Sequence, residues 1–252
     1  MATMSKAFQI FDGNIRGMKQ HLQLMDASLV NADKICRNIA RGKTVKTIAN
    51  ALKSSEDYPQ LNIPCKPIDI GRTFKTARTK IHEQAIVDLY RYFSYYLLNL
   101  IEEFIKSDPM PLLDSVAKNK DNTLTFSEIL TNNNNKSELI RLMAGKIFRR
   151  FESERSTKGL LDKIKAYSKI DIDESKALVY LEIRHLIIHR NSKIDQHFAE
   201  IDTTELVPIV NGKVKMDYAL SSNAIITVYE LCQEIDRKLL EKGMITSAYK
   251  TR

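Results

Sequence analysis

The chain of 252 residues has the composition of a globular protein, with 43% hydrophobic and 28% charged residues, and is long enough to bury a substantial core. It contains no apolar run near the roughly 20 residues that span a bilayer and begins without a signal-peptide core, so we expect a cytoplasmic protein with no membrane contact. The net charge of +8 permits attraction to nucleic acid without establishing it.

The first part of the chain is predicted to form amphipathic helices, with a break at Asp12-Gly13-Asn14. Three prolines between residues 59 and 67 then exclude a continuous helix and mark a domain boundary. We therefore predict an N-terminal helical segment over residues 1–60 and a main helical domain over residues 72–245. The segment is equally compatible with an accessory layer, a partner-binding arm or a part of the same bundle.

A long helix over residues 73–106 opens the main domain, and its middle is dense in aromatic residues. Aromatic side chains beside basic ones can stack on unpaired bases, but at helical spacing we expect them to form core. In the less regular segment that follows, Thr125 and Glu128 have the spacing of a capping box.

A basic helix is predicted over residues 137–153, followed by a shorter helix over residues 159–167. Arg149 and Arg150 of the basic helix are candidates for contacts with phosphate groups. A solvated helix face is an equally open interpretation of this charge. The three cysteines, Cys36, Cys65 and Cys232, lack the spacing of a disulfide framework or zinc site, so we expect reduced, structural thiols.

The stretch from Lys176 to Phe198 predicts a helix that is apolar on two faces and ends at Asn191-Ser192. A helix with two apolar faces is buried on both, so one face is expected to meet another helix or a second copy of the chain. One face carries Val179, Ile183, Leu186 and Ile187, and the other carries Ala177, Leu181 and Ile188 between Arg184 on one side and His185 and His189 on the other.

Two short alternating runs around Asn211-Gly212 predict a β-hairpin, and a final helix is predicted over residues 221–242. The predicted fold class is therefore all-α: a helical bundle with an N-terminal helical extension and a small β-hairpin before the last helix.

Arg184, the polar His185, three apolar residues and His189 match the Arg-polar-x-x-x-His signature of the HEPN superfamily, which the chain therefore resembles. The flanking Ile183 and Arg190-Asn191 are similar to the usual surroundings of that motif. The resemblance implies a HEPN-like bundle that forms a homodimer through the helix from Lys176 to Asn191. In many members of the superfamily the paired arginine and histidine form a metal-independent ribonuclease site.

Metal-independent RNA cleavage needs a base for the ribose 2′-hydroxyl, an acid for the departing 5′-oxygen and positive charge on the phosphate. By this chemistry and by the resemblance, His189 is the expected proton-transfer residue and Arg184 the phosphate clamp. His185 is expected to orient the phosphate or to share the proton transfer. These three residues are the predicted catalytic set, with no metal and no cofactor.

The residues predicted to bind RNA are Arg190, Asn191, Arg149 and Arg150. Arg184 and His189 lie about 140° apart on the helical wheel, so we expect them to cooperate across a dimer groove. The resemblance alone implies an endoribonuclease that acts as a toxin or antiviral defence effector, held in check by an inhibitor or sensor protein.

Several alternatives stay open. The chain is also compatible with a catalytically inactive HEPN-like dimer that serves as an RNA-binding or protein-interaction module, or with a helical antitoxin or regulatory subunit. In a purely structural interpretation of the motif, Arg184 pairs with Glu182 or another acid and the histidines are ordinary interface residues. His185 and His189 also have the spacing of two metal ligands, but Asp195 and His197 nearby supply no third ligand at matching spacing.

Overall fold

The computed structural model describes residues 4–42, 47–52, 61, 63, 66–107, 125–132, 134–152, 157–201 and 206–248. About 80% of these residues are helical, and the predicted all-α bundle with a hairpin before the last helix is confirmed. Within the described part of the chain, no helix has the length and apolarity needed to cross a membrane.

The elements are, in chain order, α1 (Lys6–Gly42), α2 (Ile48–Ala51), α3 (Pro67–Ser107), α4 (Phe126–Thr131), α5 (Lys136–Glu152), α6 (Thr157–Ser168), α7 (Ser175–Arg190), α8 (Gln196–Ile201), β1 (Ile209–Val210), β2 (Lys213–Val214) and α9 (Tyr218–Glu241). The capping box predicted for α4 is present, since the Thr125 hydroxyl accepts the N–H of Glu128 and the Glu128 carboxylate accepts the N–H of Thr125.

The predicted helix break at Asp12-Gly13-Asn14 is wrong, because α1 runs through it without interruption. Phe11 and Ile15, four residues apart on either side, are each only 1% exposed. Burial of this helical stripe against the rest of the protein outweighs the local turn preference of Gly and Asn. The Asp12 carboxylate is also held, accepting the Tyr229 hydroxyl of α9 at 3.0 Å.

Helix α3 begins at Pro67, which is earlier than the predicted start at residue 73. Proline suits the first position of a helix, where its missing N–H has no intrahelical partner. The additional turn buries Ile70 in a small cluster with Cys36, Ile48 and Phe74, which connects α1, α2 and α3.

Aromatic residues join α1 to the long helices of the main domain. The rings of Phe8 and Phe11 lie with their centroids 5.3 to 6.2 Å from those of Tyr96 in α3 and Tyr229 in α9. The Tyr96 hydroxyl donates to the carbonyl oxygen of Cys232 at 2.9 Å. The division into residues 1–60 and 72–245 stays a prediction, but the first half of α1 shares one hydrophobic core with α3 and α9.

The expectation that the aromatic residues of α3 form core is confirmed for Phe93 and Tyr96, whereas Tyr95 is 53% exposed. Cys36 and Cys232 are buried free thiols, as expected for reduced structural cysteines. Cys65 lies outside the described residues.

The hairpin forms where it was predicted, with Ile209 opposite Val214 and Val210 opposite Lys213. Asn211 and Gly212 adopt positive φ values of 52° and 71°, the conformation that a two-residue hairpin turn requires.

Replacing Phe11 by alanine tests whether α1 is part of the main cooperative unit. Because this ring is 1% exposed, we expect the Phe11→Ala variant to lose about 3–5 kcal/mol in free energy of unfolding, measured by chemical denaturation. Leu24→Ala on the same helix is the control, since Leu24 is 66% exposed and its loss should cost less than about 0.5 kcal/mol. Equal stability of both variants would contradict a shared core.

Candidate functional site

Helix α7 is buried on all sides from Ala177 to Leu181, and its second half is open to solvent on one side. The residues of the first half that are almost fully buried are Ala177, Leu178, Val179, Tyr180 and Leu181. Ile183 and Leu186 continue the buried stripe, but Ile188 is 47% exposed. The second apolar face is therefore buried at its beginning and open at its end.

Arg184 lies against α3. Its guanidinium carbon is 4.7 Å from the centroid of the Tyr90 ring, a cation–π contact. Among the described residues no carboxylate forms an ion pair with Arg184, and Glu182 instead accepts the backbone N–H of Thr157 at 3.3 Å. The alternative in which Arg184 pairs with Glu182 is therefore wrong for this structure.

His185 and His189 form an exposed pair one turn apart. Their ring centroids are 4.9 Å from each other, with an angle of 46° between the ring planes. Within the described chain no hydrogen bond joins either histidine to Arg184. The chain thus brings the two histidines together and holds the arginine separately, on Tyr90.

The end of α7 is shaped by Asn191, which adopts a left-handed conformation with φ of 51° and ψ of 46°. Its N–H and that of Ser192 both bond to the carbonyl oxygen of Leu186. Asparagine tolerates this conformation better than most residues, so the sequence specifies the helix end here. Arg190 is exposed and lies 3.8 Å from the carboxylate of Asp195.

The hairpin fastens this helix end to the rest of the protein. The N–H of Val214 donates to the Ser192 carbonyl at 2.9 Å, and the N–H of Ile194 donates to the Gly212 carbonyl at 3.1 Å. The Ser192 hydroxyl donates to the buried carboxylate of Glu83 in α3 at 3.1 Å. The chain that follows the histidines is therefore fixed in place.

The other two predicted RNA-binding residues belong to α5, which packs against α3 and α6. Arg149 is exposed, and its Nε donates to the Gly145 carbonyl of its own helix at 3.2 Å. The side chain of Arg150 lies outside the described residues. Neither arginine is shown to contact α7.

Two histidines alone do not hold a metal ion firmly. Within the described ranges no group of three or more His, Cys, Asp and Glu side chains has a geometry suited to a metal. This includes Asp195 and His197, which stood nearest in sequence to the pair.

No pattern in the sequence predicted the buried hydrogen-bond network around His82. His82 is 1% exposed, with Nε2 at 3.2 Å from Asp26 Oδ1 and Nδ1 at 3.2 Å from the Ser221 hydroxyl. Arg78 donates to the same Asp26 carboxylate at 2.8 and 3.1 Å. These four residues come from α1, α3 and α9, so no local sequence motif indicates the network.

The Ser221–His82–Asp26 geometry is structural rather than catalytic. Ser221 is fully buried, so no substrate reaches its hydroxyl. Burial lowers the pKa of His82, although Asp26 acts in the opposite direction. The network joins three helices at a cleft of about 760 Å³, whose lining includes Arg78 and His82 but neither Arg184 nor the histidines of α7.

In comparisons with protein-family models, curated proteins and solved structures, no match to this chain was found. The resemblance to the HEPN superfamily therefore depends on the motif residues of α7 and on the all-α fold, and family membership stays a proposal.

Asn191 allows a test that separates helix ending from RNA contact. We expect Asn191→Gly to retain stability, because glycine adopts the left-handed conformation freely, and Asn191→Ala to lose about 1 kcal/mol in free energy of unfolding. Thermal and chemical unfolding of both variants measure this. If Asn191→Gly keeps its stability but loses RNA affinity, the Asn191 side-chain amide contacts RNA. Equal stability of both variants would contradict a role of Asn191 in ending α7.

Proposed function

We propose that the protein is a metal-independent endoribonuclease of HEPN type that acts in the cytoplasm and cleaves RNA at a site formed across a homodimer. The observation that carries the proposal is the exposed His185–His189 pair, 4.9 Å between ring centroids, at the open end of a helix whose residues 177–181 are buried. Two imidazoles that an RNA can reach, on the helix that also carries Arg184, are the groups that metal-independent cleavage requires.

The chemistry follows from these residues. One imidazole removes the proton of the ribose 2′-hydroxyl, the 2′-oxygen attacks the phosphorus, and a second imidazole protonates the departing 5′-oxygen, leaving a cyclic phosphate end. His189 is the main proton-transfer residue and His185 its partner. Arg184 carries a permanent charge that stabilises the phosphate as negative charge develops on it.

The open face of α7 is where we place the homodimer contact. Ile188 is 47% exposed and lies between the two histidines along the chain. Packing this face against its symmetry mate would cover the isoleucine and bring two sets of Arg184, His185 and His189 into one groove. The net charge of +8 favours approach of the RNA phosphates, which Arg190 and Asn191 would meet at the end of the helix, with Arg149 and Arg150 on α5 as further candidates.

The biological role, a toxin or antiviral defence effector, rests on the resemblance. Such an enzyme requires restraint by an inhibitor or sensor protein. Helix α1 presents exposed apolar side chains away from the core, including Leu24 at 66% and Ile35 at 40% exposure, and is our candidate for that contact.

One observation favours a second candidate, a catalytically inactive HEPN-like dimer that binds RNA or protein. Arg184 is held on the ring of Tyr90 and makes no hydrogen bond to the described histidines, so one protomer does not contain an assembled site. An inactive module would bind RNA with an affinity that falls steeply with salt and would release no product.

The test is incubation of purified protein with mixed RNA in excess EDTA, followed by analysis of product ends. We expect cleavage to persist, to leave cyclic phosphate ends, and to fall at least about 100-fold in His189→Ala and in Arg184→Ala. The matched control is His21→Ala, which removes an exposed histidine from α1.

Circular dichroism and thermal unfolding are used to check that each variant is folded. If folded His189→Ala cleaves as fast as the parent, the site is assigned wrongly. If EDTA abolishes cleavage by the parent, the metal-independent mechanism is wrong.

A further inference from the structure

A second site candidate lies in the cleft of about 760 Å³ between the helices and the hairpin. One wall comes from the later part of α1 and the beginning of α3, and the other comes from the hairpin and the chain leading to α9. This volume is within the range of small-molecule sites. The side chains that carry charge into it are Arg37, Lys75, Arg78, Lys213 and Lys215, together with Asp33 and Asp217.

Both arginines of the lining are positioned by neighbouring acidic residues. Arg78 donates to Asp26 at 2.8 and 3.1 Å, and Arg37 donates to Asp33 at 2.8 Å. A Cβ on residue 71 would lie only 3.1 Å from the Arg37 guanidinium, so Gly71 gives this side chain room against α3. The guanidinium groups of Arg37 and Arg78 are therefore already positioned before any ligand binds.

The positive charge in the cleft exceeds the negative charge. Lys215 pairs with Asp217 at 2.7 Å, which leaves Lys75 on the helical wall and Lys213 on the hairpin wall without a carboxylate partner among the described residues. A phosphomonoester carries a charge of about −1.5 to −2 at neutral pH, which balances these two lysines.

The rest of the lining suits an organic body attached to the phosphate. Phe74, Val214 and Met216 provide apolar surface in the lining, and Val210 of the hairpin is 50% exposed. Thr79 and Asn211 add a hydroxyl and an amide that can hydrogen-bond polar ring atoms. An acyl chain would leave these polar groups unmatched, and a bare sugar would leave the apolar surface uncovered.

We propose that this cleft binds a nucleoside monophosphate unit, with the phosphate between Lys75 and Lys213 and the base against the apolar surface. The unit is supplied either by a free nucleotide or by the phosphorylated end of an RNA. The site uses none of the α7 residues and does not depend on the proposed ribonuclease.

Calorimetry with AMP, adenosine and inorganic phosphate tests the free-nucleotide source, and fluorescence anisotropy with 5′-phosphorylated and 5′-hydroxyl RNA oligonucleotides tests the RNA source. The RNA measurements use the His189→Ala background, so that cleavage or its absence does not affect them. If free nucleotide is the source, we expect AMP to bind at least tenfold more tightly than adenosine. If RNA is the source, we expect the 5′-phosphorylated oligonucleotide to bind at least tenfold more tightly than the 5′-hydroxyl oligonucleotide.

The decisive variant is Lys75→Gln with Lys213→Gln, which should weaken that binding at least tenfold. Lys34→Gln with Lys136→Gln lowers the net charge equally at exposed positions outside the lining and should leave binding within about twofold. The proposal is overturned if the phosphate group raises affinity neither in the calorimetry nor in the anisotropy measurements. It is also overturned if both double variants bind like the parent. Equal weakening by both double variants would indicate general charge attraction and would also overturn it.

Discussion

The arrangement of this protein depends on the burial of residues 177–181 of α7. Because Ala177 to Leu181 are enclosed on all sides, the helix cannot rotate or shift by a residue without exposing apolar surface. That constraint decides which side chains reach solvent at the other end. Arg184 is directed to Tyr90, and His185 and His189 are left open beside Ile188. The candidate chemistry is a consequence of how the scaffold packs.

The fold was predictable where a local sequence signal and the tertiary packing agree. Asn211-Gly212 specified the hairpin turn, Asn191-Ser192 specified the end of α7, and Thr125 with Glu128 specified a cap. The apolar stripe of α7 was also predicted, because helical periodicity reports burial directly. Where packing opposes the local signal, prediction failed: burial of Phe11 and its neighbours carries α1 through an Asp-Gly-Asn sequence that favours a turn.

The sequence predicted which residues belong to the candidate site, but it did not predict which residues they contact. The contact of Arg184 with Tyr90 joins α7 to α3 and has no signature within either segment. The network of Asp26, His82 and Ser221 is likewise assembled from distant parts of the chain. The cationic cleft combines α1, α3 and the hairpin, and the hairpin is bonded to the end of α7. The hairpin therefore lines the cleft and fixes the chain that follows α7, although the two candidate sites are proposed on separate evidence.

The central claim is that the open face of α7 meets a second copy of the chain and completes the ribonuclease site there. The most direct test is analytical ultracentrifugation, with RNA cleavage measured on the same samples. The samples are the parent, Ile188→Asp and Ile226→Asp. Ile226 is a matched control, 44% exposed on α9. The account predicts that the parent and Ile226→Asp sediment as dimers and cleave RNA, while Ile188→Asp is a folded monomer that does not. A parent that is monomeric at all concentrations, or an Ile188→Asp variant that remains an active dimer, would contradict it.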